Sequence, residues 1–258
     1  MDRLENLKNI IMYLMADEHV SHQIPSTLEE RQRMMRALMN VWEPRPIAED
    51  FLMKQDVELQ MQREDKGVVK LEEVAAANSS LFTFHSSLLL WQGDITRLKV
   101  EAIVNAANAQ ALGCWAPLHN CIDNCIHSAA GIQLRKECAD KMQGRLLATG
   151  DAFITQGYNL PARYVIHTVG PIIPDGVPTK EQEEQLAQCY RSCLDLAEQN
   201  GLESIAFCCI STGVFHFPNE LAARIAIETV KSYPRHALKT IVFNVFLDKD
   251  RDIYRQLL

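Results

Sequence analysis

No uninterrupted apolar run approaches the ~18 residues needed to cross a bilayer, which argues against a helical membrane protein. A secretory leader is also missing. The opening MDRLENLKNIIMYLMADEHV mixes acids into its apolar stretch and carries no small-residue cleavage site. Nor is there a long basic run. The net charge of −7 would repel a polyanion such as DNA, whose binding rests mainly on Lys and Arg neutralising phosphates. These absences predict a cytoplasmic protein that works on neither membrane nor nucleic acid. An anionic ligand remains admissible wherever backbone N–H groups can hold it.

What is present is ordinary globular material. The 258 residues suffice for one full domain plus an extension, and 47% hydrophobic with 23% charged residues is a soluble composition. Eight cysteines in a reducing compartment read as thiols or metal ligands rather than disulfides. Cys125, Cys138, Cys189, Cys193, Cys208 and Cys209 sit in apolar patterns, where a free Cys behaves as a small hydrophobe.

Residues 1–75 predict an all-helical extension. Leu4, Leu7, Ile10, Ile11 and Leu14 recur at helical spacing. Ser26 and Glu29 are placed as a capping box ahead of an apolar face of Met34, Met35, Leu38, Met39 and Trp42. A third helix is expected after Pro46, and the Met-rich stripes are read as docking against the next domain. From about residue 80 the pattern changes. LFTFH, LLLWQGD, VEAIVNAAN, DAFITQG, RYVIHTVGP, SIAFCCIST and TIVFNVFLD are short apolar runs. Three helical patterns lie between them: CIDNCIHSAAGIQLRKECADKM, KEQEEQLAQCYRSCLDLAEQN and PNELAARIAIETVKSY. Alternation of this kind predicts an α/β layer over residues 76–258 with a largely parallel sheet covered on both faces. Its ligand crevice is expected beyond the carboxyl ends of the strands.

Four polar stretches fall at such strand ends: WQGDITRLKVEAIVNAAN (91–108), ATGDAFIT (148–155), YVIHTVGP (164–171) and ISTGVFHFP (210–218). In this order they closely resemble the macrodomain family, a three-layer α/β/α fold that binds ADP-ribose. The resemblance covers residues 80 to 258. Hydrolytic macrodomains follow the second Asn of NAAN with a short glycine-rich loop. Here Asn108 is followed by AQALGCWAPLHNCIDNCIH, which keeps Asp123 and CIH but replaces the glycines with a longer loop. That loop is similar to the one in zinc-dependent macrodomains found in bacteria beside a macrodomain-linked sirtuin.

The residues support this independently. Cys114, His119 and Cys121 form a C-x4-H-x-C spacing of soft ligands suited to Zn²⁺, one ion per chain, with a fourth position left for water or substrate. Cys125 and His127 lie on the following helix and are read as core. STGVFHFPNE is the phosphate candidate: Ser211, Thr212, Gly213, Val214 and Phe215 can turn N–H groups to a diphosphate, and Pro218 is expected at the first position of a helix. The family places Gly or Tyr where this chain has His216, so the role of His216 stays open.

By resemblance, Asp94 accepts from the adenine amine, with a turn cap as the plainer alternative. Ile95 offers a backbone N–H. Asn105 and Asn108 offer amides to ribose hydroxyls, although Asn can also brace strand-end backbone. Phe246 is a candidate to stack near adenine. The resemblance implies a hydrolase that removes mono-ADP-ribose from protein side chains, with Asn108 and Asp123 as catalytic candidates. It further implies an acidic-residue linkage, a lipoyl-carrier-like target and a partner sirtuin. Two other readings stay open: a non-catalytic ADP-ribose reader, and a redox sensor using Cys114 and Cys121.

Overall fold

The computed structural model describes residues 2–78 and 87–258; the strand expected at LFTFH, residues 81–85, lies outside the described residues. The extension opens with three helices, α1 (Arg3–Asp17), α2 (Leu28–Val41) and α3 (Glu49–Lys66). The N-cap of α2 is Thr27, whose side chain accepts from the Glu30 N–H, so the cap sits one residue later than the Ser26–Glu29 pairing suggests. Thr27 also bonds the Glu30 carboxylate through its hydroxyl, and a capping motif read from sequence can slide by one where two hydroxyl residues adjoin.

The apolar stripes do not spread over the neighbouring domain. Leu7, Ile10, Ile11, Leu14, Met35, Leu38, Met39, Trp42, Phe51 and Leu59 close on one another, and among the described residues the α/β domain contributes only Ile132 to that buried core. The helices meet the domain through polar groups instead. Gln55 accepts from the Ile132 N–H, Asp56 accepts from Gln133 and Asn159, and Arg63 donates to the Asn159 carbonyl. After Lys66 the chain changes partners. Strand β1 (Val69–Lys70) pairs in parallel with the short β3 (Leu98–Lys99), and helix α4 (Leu71–Asn78) sends Val74 into the domain's core.

The main sheet has six strands among the described residues: β2 (Leu88–Gln92), β4 (Ala102–Ala106), β5 (Ala152–Gln156), β6 (Tyr164–Thr168), β7 (Ser204–Phe207) and β8 (Thr240–Val245). Their order is β2-β8-β7-β4-β6-β5, parallel throughout except for β5, which runs antiparallel at the edge. Consecutive residues of β4, β7 and β8 are buried on both sides, as expected of a sheet sandwiched between helical layers. Those layers are α5 (Ile122–Ala130), α6 (Ile132–Met142), α7 (Lys180–Gln199), α8 (Asn219–Ser232) and α9 (Asp248–Leu257) with α4.

The sequence stretch read as one helix from Cys121 to Met142 is two. Gly131, at φ +105°, breaks it, and a Cβ there would come within 2.7 Å of the Gln55 amide. Pro218 stands at the N-cap of α8 rather than inside its first turn, and α9 was not anticipated. The parallel arrangement puts the ends of β2, β4, β6, β7 and β8 on one edge, together with the start of β5. All four polar stretches therefore converge there.

Candidate active site

Asn105 is the penultimate residue of β4, and Asn108 follows three residues on. Asn105 is fully buried, and its Nδ2 donates to Asp123 Oδ1 at 2.7 Å and to His167 Nδ1 at 3.1 Å. It does not reach the cleft, so the expected sugar contact from Asn105 gives way to a brace on Asp123. Asn108 opens the metal-loop candidate. Its Oδ1 accepts from the N–H groups of Gln110 and Ala111, while Nδ2 donates to the Gly113 carbonyl at 3.1 Å and to Asp123 Oδ2 at 3.3 Å. Two asparagines from one strand end thus aim at one carboxylate. Burial pushes that carboxyl up to about 6, against the lowering pull of the Asn105 hydrogen bond and the Arg135 charge.

The loop then passes over His127. Gly113 has φ +82°, and a Cβ there would meet the His127 ring at 2.9 Å, so only glycine fits. Beyond it, Cys114 Sγ lies 3.6 Å from His119 Nδ1, and the donor atoms of Cys114, His119 and Cys121 lie within 4.8 Å of one another. Donors around one tetrahedral Zn²⁺, at about 2.0–2.3 Å from the ion, stand about 3.3–3.8 Å apart. The Cys114–His119 separation falls in that range, and two thiols with an imidazole are donors of the type zinc takes. Cys121 is also the N-cap of α5, with Sγ accepting from the Asn124 N–H, and burial pushes its thiol up to about 12.

On the opposite wall, Ser211 and His216 take left-handed φ values of +65° and +58°, bracketing a tight turn closed by His216 N–H to Gly213 O and Phe217 N–H to Ser211 O. Among the described residues, the N–H groups of Gly213, Val214 and Phe215 have no protein partner, and Gly213 and Val214 are exposed. Consecutive free N–H groups in such a turn form an anion nest. Gly170, in HTVGP, belongs to the same wall: a Cβ there would lie 2.0 Å from Ser211 Oγ.

Asp94 caps its own 3-10 turn, Ile95–Arg97. Its Oδ1 accepts from the Thr96 N–H at 3.0 Å and the Thr96 hydroxyl at 2.6 Å, and Oδ2 stands 3.6 Å from Lys66 Nζ. Ile95 buries its side chain, and its N–H has no protein partner among the described residues. Phe246, just past β8, is 72% exposed, a large aromatic face with nothing packed over it. Asp94 also lines a cavity of about 660 Å³ between α2, α3 and the domain, whose lining includes Leu118, Asn120 and Cys125 but not residues 211–215.

Comparison with known proteins bears on what this cleft is. The Macro domain model matches residues 104–226. A protein-ADP-ribose hydrolase of Treponema medium is 46% identical over 96% of this chain and 96% of its own length. One of Staphylococcus aureus is 43% identical over 99% of this chain and 97% of its own. The chain belongs to the macrodomain family. A Trypanosoma brucei macrodomain, solved in complex with ADP-ribose, is 30% identical, covers 90% of this chain and 96% of its own, and superposes with a TM-score of 0.63. The macrodomain's helical extension is included in the near full-length matches to the two proteins named as hydrolases.

Beneath Asp123 the macrodomain buries a second cluster that sequence reading passed over. His127, Cys138 and His167 bring ligand-type atoms within 4.8 Å of one another. His167 is already engaged at both nitrogens: Nδ1 accepts from Asn105, and Nε2 donates to Thr155 Oγ1 at 2.9 Å, whose hydroxyl passes on to Val165 O. His167 is thus a hydrogen-bonded imidazole, whereas both ring nitrogens of His127 are buried with no hydrogen-bond partner among the described residues, Nε2 lying 3.5 Å from Asp123 Oδ1. Burial drives the His167 pKa down to about 3 and that of His127 well below its ordinary value.

The consequence for stability has a definite sign. Below pH 6.5 the unfolded chain binds two protons that the folded chain refuses, so stability present at neutral pH falls by about 1.4 kcal/mol per histidine per pH unit. Asp123 opposes this as the pH falls through about 6, where the folded state takes up a proton before the unfolded state does. Thermal unfolding scanned downward in pH should show the melting temperature falling steadily from about pH 7 to 5, at roughly half the rate the two histidines alone would give because Asp123 takes up a compensating proton. A melting temperature that holds constant or rises from pH 6.5 to 5 would show the histidines to be protonated in the fold.

Arg36, Asn40 and Arg135 are further residues at the site that sequence reading missed. Each touches the metal loop from far along the chain, with no local motif to mark it.

Proposed function

We propose that this macrodomain is a zinc-dependent hydrolase that removes mono-ADP-ribose from modified protein side chains. The observation that carries the reading is the convergence of Cys114, His119 and Cys121 beside an Asn-braced, buried Asp123 at the mouth of a cleft whose other wall is an anion nest. The names of the near full-length relatives support the same activity.

In this reading the free N–H groups of Gly213, Val214 and Phe215, with Ser211 and Thr212 shaping the turn, hold the diphosphate. Phe246 stacks on the adenine, and Asp94 with the Ile95 N–H meets the adenine edge. The distal ribose then lies between Asn108 and the metal loop. Asn105 and Asn108 hold the Asp123 carboxylate with one oxygen aimed at a water, whose proton it accepts as the oxygen attacks the anomeric carbon. The bond from that carbon to the protein side chain breaks, and the leaving side chain takes up the proton that Asp123 accepted from the water, returning the carboxylate. A bound Zn²⁺ would supply Lewis acidity, polarising an oxygen ligand at the open fourth position. Burial of Asp123 keeps the base's pKa close enough to neutral for proton transfer in either direction. His216 rims the nest and carries no assigned step.

The acidic-residue linkage, lipoyl-carrier-like target, partner sirtuin and cytoplasmic setting follow from family resemblance and composition. In keeping with that setting, no helix among the described residues is long and apolar enough to cross a membrane.

Incubation with a protein carrying a single ADP-ribosyl group on a Glu or Asp side chain should release free ADP-ribose, read by chromatography and mass spectrometry. Tight binding with the conjugate left intact would make the protein a reader. The anion nest has its own test. A Cβ on Gly213 would meet nothing within 4 Å, so the turn has room for a side chain that Gly213→Val would point into the space proposed for the ligand. Calorimetry should show ADP-ribose affinity reduced at least about tenfold, the cost of forcing a side chain into occupied space. Unchanged affinity would move the diphosphate elsewhere.

A further inference from the structure

The helical extension is hydrogen-bonded into the backbone of the metal loop itself. Arg36 on α2 donates from Nη2 to the His119 carbonyl at 2.8 Å and to Asn124 Oδ1 at 2.9 Å. One turn further, the buried Asn40 accepts at Oδ1 from the Leu118 N–H at 2.9 Å and donates from Nδ2 to Ser128 Oγ at 3.0 Å. The carbonyls of Asn40 and Trp42 each accept from Arg135 Nη1 at 2.9 Å. Arg135 reaches on to the Cys114 carbonyl at 3.4 Å, with its guanidinium 4.1 Å from the centroid of the Trp115 ring. Asn124, held by Arg36, donates to the Ala116 carbonyl at 2.9 Å.

We infer that Arg36 and Asn40 are positioning residues for the metal centre, so that α2 is a working part of the site. This assignment rests on the zinc reading above. Cys121 is fixed by its place at the start of α5, but Cys114 and His119 lie on a partly exposed loop between Asn108 and that helix. A loop free to move would lose conformational entropy each time an ion bound. The clamp removes that freedom in advance. Arg36 fixes the His119 backbone, Arg135 fixes Cys114, and Asn40 fixes Leu118 between them. Leu118 has φ +60°, a left-handed conformation that a branched L-residue leaves unless something holds it. Its N–H on Asn40 is that hold, and it sets the direction in which the next residue, His119, presents its ring.

Simple docking of the extension is a separable job. Gln55 on α3 accepts from the Ile132 N–H at 3.0 Å and donates to Gln133 Oε1 at 2.6 Å, and neither bond involves the metal loop. Loss of Gln55 loosens the extension; loss of Arg36 or Asn40 loosens the ligands.

The test is zinc affinity, measured on the full chain by competition with a chromophoric chelator, alongside thermal unfolding of the metal-free protein and calorimetry with ADP-ribose. Arg36→Met and Asn40→Leu should each weaken zinc binding about 10- to 100-fold, the usual consequence of losing a partner that orients a metal ligand. Asn40→Asp keeps the acceptor for the Leu118 N–H and should restore most of the affinity. Gln55→Leu should lower the melting temperature while binding zinc as wild type does. ADP-ribose affinity should stay at the wild-type value in all four. Wild-type zinc affinity in Arg36→Met and Asn40→Leu, or an equal loss in Gln55→Leu, would overturn the clamp while leaving the metal reading intact. A wild-type chain that takes up no zinc would overturn the metal reading and this assignment with it.

Discussion

Cys114→Ala, His119→Ala and Cys121→Ala are each expected to lose bound zinc and to cut hydrolysis by about 10³-fold or more, on the scale of several kcal/mol of charge stabilisation from a metal. The effect should fall on turnover and spare binding. In the proposed reading the adenine, proximal ribose and diphosphate fall to Asp94, Phe246 and residues 211–215, none of them in the loop of Cys114, His119 and Cys121. Charge develops in the transition state around the distal ribose, where the loop sits, and contacts realised only there raise turnover without tightening the ground state. ADP-ribose affinity should therefore stay within a few-fold of wild type. Because the ligands act as one unit, a double substitution should cost little more than a single one. Metal content by mass spectrometry and ADP-ribose release on the same preparations check both halves. Variants that lose zinc yet turn over normally would assign the metal a structural role.

Asp123→Asn is expected to move activity and stability in opposite directions. The amide cannot take the water's proton, so turnover should fall by about 10²- to 10⁴-fold, the range for a positioned general base. The fold should gain. A carboxyl raised to about 6 is one whose ionised form the folded state disfavours. At pH 7 that ionisation costs about 3 kcal/mol relative to an unfolded pKa near 3.8; a neutral amide removes it but sets its own N–H against one of the two asparagine donors, so the net gain is smaller than that figure. Differential scanning calorimetry at pH 7 should show a higher melting temperature for the variant, and at pH 4 the difference should vanish. Loss of activity together with loss of stability would instead cast Asp123 as a packing residue. A stability cost at a catalytic carboxylate is the usual trade between function and fold.

Some of the site could be read from the sequence because its parts are local. The ligands Cys114, His119 and Cys121 lie within one loop, and the nest is one continuous turn, so residue type and spacing suffice to pick them out. The strand-end placement of Asn108, Asp94 and Phe246 follows from the alternation of apolar runs with helices. Direction was harder. Asn105 and Asn108 look equivalent in NAAN, but the strand pleat turns Asn105 inward to Asp123 and His167. The break falls at Gly131, whose φ of +105° a glycine adopts readily, but a single glycine within an otherwise helical pattern does not by itself mark two helices. Arg36 meets His119 across 83 residues, and Asn40 meets Leu118 across 78. Periodicity reports which face of a helix is apolar, whereas these residues sit among charged neighbours on the polar face of α2. In α9, Ile253, Tyr254 and Leu257 do fall at helical spacing, but the helix is short and mostly charged, so the signal is weak.

The central claim is that hydrolysis needs zinc on the Cys114–His119–Cys121 loop. Its most direct test is turnover by one wild-type preparation in three states: as purified, stripped by chelator with metal content measured, and refilled with one equivalent of Zn²⁺. The account predicts that ADP-ribose release from a mono-ADP-ribosylated protein disappears on stripping and returns on refilling, while calorimetry shows free ADP-ribose bound in all three states. Full turnover by protein shown to be metal-free would contradict it, leaving Asp123 and its bound water to carry the reaction unaided.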